Sequence, residues 1–98
     1  MKDLQEIREE LKIIREYNFA LHSAERGAQV LIPREIKMRM EQYAFALKGA
    51  PKPVQRVYSG LYEKGYTQKT LATEWDVTEK YVQILNKRLL LYFQSQGL

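Results

Sequence analysis

The chain has 98 residues, 45% of them apolar and 29% charged, with no cysteine and a single histidine, His22. That length suits one small domain with a thin core, and the composition excludes disulfides, thiolate chemistry, cysteine zinc sites and a histidine-rich metal centre. The net charge of +4 is uneven: residues 1–25 carry −2 and residues 26–98 carry +6, a balance that suits a polyanionic partner for the body of the protein.

Nearly everything reads as helix, and the expected fold is all-α. From Leu4, apolar residues recur at Ile7, Leu11, Ile14 and Leu21, with Asn18 filling the gap, which defines one helical stripe. Gly27 is the expected stop. The stripe fits heptad positions a and d, and a lone Asn18 at an a position would set the register of a parallel dimer. A second stripe, Ile13, Tyr17, Ala20 and Ala24, widens the apolar face, as in helices that pack within their own chain. Both uses stay open. Ala28-Gln29-Val30-Leu31-Ile32 then forms an extended connector before Pro33. Pro33 suits the first turn of a second helix, whose inner face carries Ile36, Met40, Tyr43 and Leu47 and which Gly49 ends.

Ala50-Pro51-Lys52-Pro53 breaks the helical pattern. It marks a boundary between an N-terminal helical region, 1–49, and a C-terminal domain, 54–98. Three helical segments follow. Val54, Val57, Leu61 and Tyr62 mark the first, which Gly65 ends. Thr67 caps the second, which reaches Trp75, and Thr78 caps the third, which reaches about Gln94. The run Leu89-Leu90-Leu91-Tyr92-Phe93 is apolar all round its helix, so the N-terminal helices or another subunit must cover it.

The last two segments have the spacing of a helix-turn-helix. Ala72 is the small residue expected where the two helices cross, with Leu71 and Trp75 pointing into the core. Asp76 takes a left-handed backbone in the turn and Val77 plugs it. Val82, Leu85 and Leu89 seal the inner face of the third segment. The opposite face carries Glu79, Lys80, Gln83, Ile84 and Lys87, and a major groove admits a helix of this kind.

Residues 54–93 resemble the helix-turn-helix of the fourth region of bacterial sigma factors. They also resemble the small phage and mobile-element regulators that reuse it, of the ArpU and RinA types. The resemblance lies in Tyr58, Leu61-Tyr62-Glu63-Lys64-Gly65-Tyr66-Thr67-Gln68, Leu71-Ala72, Trp75-Asp76-Val77-Thr78, Val82, Leu85 and Lys87-Arg88-Leu89. The family pattern usually has glycine at the position of Asp76. The resemblance implies binding of double-stranded DNA, with the third helix reading bases and the start of the second touching phosphate.

The expected function is therefore sequence-preferring DNA binding by a small transcription regulator. Lys64, Thr67, Gln68, Lys69 and Arg88 are the candidate phosphate anchors. Lys80, Gln83 and Lys87 are the candidate base contacts, and Glu79 can accept from a cytosine amino group. A homodimer is the expected assembly, with two reading helices about 34 Å apart. Two other readings stand beside this one. Phage terminase small subunits also join a helix-turn-helix to oligomerising helices, and an adaptor for RNA polymerase or a sigma factor would use the same shape on protein.

No nucleophile–base pair, glycine-rich phosphate loop or acidic metal cluster is visible, so no enzyme activity and no cofactor are expected. His22, the carboxylates Glu9, Glu10 and Glu16, and Trp75 read as structural or solvated residues, and Tyr66 as core or rim. No apolar run is long enough to span a membrane and the N-terminus is charged, which points to a cytoplasmic protein without membrane contact.

Overall fold

Residues 2–24 and 30–98 are described by a computed structural model. The described residues are all-α, as the periodicity predicts. They form α1 (Leu4–Ser23), α2 (Arg34–Leu47), α3 (Lys52–Tyr58), α4 (Gln68–Trp75) and α5 (Glu79–Ser95). A π-helical turn, Ser59–Glu63, continues α3. The expected helix stop at Gly27 and the start of the connector at Ala28-Gln29 lie outside the described residues.

Asp3 starts α1 by accepting a hydrogen bond from the Glu6 amide at 2.8 Å. The inward stripe is shorter than the sequence predicts. Ile7, Leu11 and Ile14 are fully buried, whereas Leu21 is 44% exposed. Asn18 faces its own chain: its Nδ2 donates to the Tyr62 carbonyl at 2.9 Å.

The expected break at 50–53 is the start of α3. Pro51 precedes the helix and Pro53 sits in its first turn, where a missing N–H costs nothing. Ala50 is buried, and the regions on either side of it share one core. Ile7, Leu11 and Ile14 of α1 belong to it with Tyr43 of α2 and the buried faces of α3, α4 and α5, and α1 itself packs chiefly on the π-helical turn and α5. The boundary drawn from Ala50-Pro51-Lys52-Pro53 is thus a local turn and does not divide the core.

Phe93 lies at the middle of this core. The Tyr43 and Tyr58 rings meet it edge to face, with centroids 4.7 and 5.9 Å away. Leu89, Leu90 and Phe93 are fully covered by their own chain, and Leu91 keeps 45% exposure. Among the described residues no buried side-chain polar atom lacks a partner.

Candidate nucleic-acid interface

Each boundary of the C-terminal helix pair is a local chemical event. The Thr67 hydroxyl accepts from the Thr70 amide at 3.0 Å and starts α4. Leu71 and Ala72 are buried on its inner side. At its end Asp76 adopts φ 55° and ψ 48°. The Asp76 amide bonds the Thr73 carbonyl at 3.2 Å and the Val77 amide bonds the Ala72 carbonyl at 2.9 Å. This pair of bonds is the Schellman arrangement, which reverses the chain within two residues. The Thr78 hydroxyl then accepts from the Tyr81 amide at 3.1 Å and starts α5.

Two expectations about this turn need correction. Val77 closes α4 through its backbone, while its side chain is 38% exposed and plugs the turn only in part. Trp75 is half-buried at the edge of the core, with the Arg56 guanidinium 5.0 Å from its ring.

Val82, Leu85 and Leu89 turn inward on α5, so Glu79, Lys80, Gln83 and Lys87 stand exposed on the other side. At 3.6 residues per turn Lys80, Gln83 and Lys87 fall within about 60° of arc, and Arg88 lies roughly 100° beyond Lys87. Thr67, Gln68, Lys69 and Glu79 line one shallow groove together with Arg15 of α1. Gln68, Gln83 and Lys87 line a second, bounded on its far side by α1. Gln68 is half-buried and belongs to both. Lys80 and Arg88 are exposed but line neither groove. Lys64 is also apart from them, its ammonium 5.9 Å from the Tyr66 ring.

The structure adds residues that the sequence reading passed over. Arg8, Lys12 and Arg15 stand at i, i+4 and i+7 on α1 and border the second groove. The signal was in the spacing, hidden by a net charge averaged over the whole helix. Glu6 and Glu10 occupy the far side of α1. Glu10 takes both oxygens to the Lys2 ammonium at 2.8 Å and accepts from the Tyr43 hydroxyl, with Arg39 at 3.4 Å. Burial alone would raise the Glu10 carboxyl, but these partners outweigh it and hold it below the usual carboxylate range. Glu9 and Glu16 flank the ridge, and Glu16, four residues after Lys12 and about 40° round the helix, lines a neighbouring groove with Lys12 and Arg15.

Polar bonds lock α1 to the segment that leads into α4. Arg15 donates to the Gly65 carbonyl at 2.8 Å and reaches the Tyr66 carbonyl at 3.4 Å. Gly65 has φ +76°, a conformation open to glycine with little strain. The Tyr62 hydroxyl donates to Asn86 Oδ1 at 2.6 Å, tying the π-helical turn to α5. Burial raises the Tyr62 phenol, which keeps it a donor at neutral pH.

His22 is exposed near the end of α1. Among the described residues no three His, Asp or Glu side chains gather as metal ligands, and no helix is long and apolar enough to cross a membrane. Compared with family models, characterised proteins and solved structures, the chain matches none.

Proposed function

We propose that the protein binds double-stranded DNA through α4, the Asp76 turn and α5, and acts as a small transcription regulator of phage or mobile-element type. The observation that carries this reading is the division of α5. Its inner side is sealed by Val82, Leu85 and Leu89, and its outer side leaves Lys80, Gln83 and Lys87 together and exposed behind a short turn. A helix so presented fits a major groove about 12 Å wide. Lysine suits guanine acceptors or phosphate, and glutamine suits the adenine edge. Glu79 accepts from cytosine or favours the start of its own helix. Lys64, Thr67, Gln68, Lys69 and Arg88 supply the phosphate contacts. The likeness of residues 54–93 to the fourth region of sigma factors supports the same reading.

The test is a fluorescence titration of variants against preferred and random duplexes at several salt concentrations. Gln83→Ala is expected to lose about 1–3 kcal/mol on the preferred duplex and little on random DNA. Lys69→Ala is expected to weaken all duplexes alike and to lower the salt slope by about one unit. Equal binding of both duplexes by Gln83→Ala and the parent would remove α5 as the reading element. Failure of the parent to bind DNA at low salt would favour the adaptor reading, with RNA polymerase or a sigma factor as partner.

Self-association belongs to the same proposal, through residues outside the stripes the sequence indicated. The inner stripe of α1 and most of the C-terminal apolar run lie in the chain's own core. Phe19, Met38 and Phe45 remain at least half exposed and favour contact with a second copy. Light scattering separates a dimer from the ring expected of a packaging component. A monomer at tens of micromolar, roughly where weak dimers form, removes both.

A further inference from the structure

We infer that α1 is a third DNA-contacting element, whose Arg8, Lys12 and Arg15 follow the phosphate backbone beside the groove read by α5. This inference rests on the DNA-binding reading and extends its footprint to a helix outside the helix-turn-helix.

The groove between α1, the start of α4 and the outer side of α5 is the setting. Its walls hold Arg8, Lys12, Arg15 and Lys87 together with Gln68 and Gln83, and no acidic side chain lines it. Four cations round one open groove repel each other and favour an anion between them. Arg8 and Lys12 are exposed and have no carboxylate within 4 Å among the described residues. Their charges are therefore available to a ligand. Arg15 is partly engaged, since it holds the Gly65 and Tyr66 carbonyls, and it fixes α1 against the turn before α4. Ile7, Leu11 and Ile14 anchor the adjoining side of α1 in the core, about 100° round the helix, so the ridge is held in place before any ligand arrives.

The occupant follows from the neighbours. A major groove that receives Gln83 and Lys87 is flanked by two phosphate strands. One of them must pass the side of α5 on which Gln68 and α1 stand. Gln68 at the start of α4 begins that line and Lys12 and Arg8 continue it. Four residues along a helix span about 6 Å, so the long side chains of Arg8 and Lys12 can reach neighbouring phosphates of one strand. Arginine and lysine at such positions bind phosphate without reading sequence.

The experiment uses the full chain and a labelled mixed-sequence duplex of about three helical turns. Arg8→Gln/Lys12→Gln is compared with Lys37→Gln/Lys48→Gln. The second pair removes the same charge from exposed positions on and just after α2, away from this groove. Loss of two phosphate contacts is expected to lower the slope of log affinity against log salt by about two units. The affinity gap between parent and variant would then narrow roughly tenfold from 50 to 200 mM salt. The charge-keeping pair Arg8→Lys/Lys12→Arg should restore the parent slope. Circular dichroism melting is expected to be unchanged in all three, because none of these side chains is buried. An unchanged slope in Arg8→Gln/Lys12→Gln, or an equal fall in the α2 pair, overturns the inference and leaves the DNA reading standing. A parent that binds no duplex at about 50 mM salt overturns the DNA reading itself, and this inference with it.

Discussion

Aspartate at φ 55° carries a steric cost that glycine avoids, and Asp76 has no side-chain hydrogen bond to offset it among the described residues. Asp76→Gly is therefore expected to stabilise the protein by about 0.5–1 kcal/mol, and a melting curve should shift upward by a few degrees. Ala72 is 5% exposed on the inner side of α4. Ala72→Leu should overpack that contact and cost roughly 1–3 kcal/mol in the same assay. Glu10 makes a pH prediction. Its carboxyl is held below the ordinary carboxylate range when folded. The stability it confers is present above the unfolded value and is lost as pH falls through the lower folded one. Glu10→Gln should lower stability by about 0.5–1 kcal/mol at neutral pH, a modest figure because the pair is partly exposed. It should also flatten the acid limb of a plot of melting temperature against pH. A parent and variant with parallel acid limbs would show that Glu10 is not the titrating group.

At the scale of elements, the C-terminal half was legible because its boundaries are written in single residues. Thr67, Asp76 and Thr78 each do locally what their chemistry allows, whatever surrounds them. The N-terminal half was less legible for a physical reason. A stripe of Leu4, Ile7, Leu11 and Ile14 says that one face is buried, but periodicity cannot say against what. Asn18 could satisfy a partner chain or a carbonyl of its own, and only the fold brings Tyr62 to it. The ridge of Arg8, Lys12 and Arg15 was present in the spacing, yet its place beside Gln83 and Lys87 depends on how α1 docks. The π-helical turn had no signal in the pattern. Within it, Gly60 approaches α4 so closely that an added Cβ would stand 2.6 Å from Leu71 Cδ1. Leu71 is itself buried and has little room to yield. Gly60→Ala is expected to cost about 1–3 kcal/mol, and denaturant unfolding measures it directly.

At the scale of the whole molecule, a core shared by the five described helices implies one cooperative unit. The full chain should melt in a single transition by both far-UV and near-UV signals. A fragment of residues 50–98 would lose the cover that α1 gives to α5 and that Tyr43 gives to Phe93. It is expected to be markedly less stable or to aggregate. Two separate transitions in the full chain, the second matching the melting of the fragment, would show that the N-terminal helices are an independent module.

The bonds that seat α1 join residues far apart in the chain, with Asn18 to Tyr62 spanning 44 positions and Arg15 to Gly65 spanning 50. Closing such loops costs more chain entropy than pairing neighbours such as α4 and α5. A nucleus built from those neighbours would leave the docking of α1 to the downhill side of the barrier. Leu11→Ala should destabilise the protein by about 2–5 kcal/mol, with most of the change in a faster unfolding limb and little in the refolding limb of a stopped-flow chevron. Slowed refolding in that variant would put α1 inside the folding nucleus. With late docking, the phosphate ridge would complete the interface only after the reading helix is already formed.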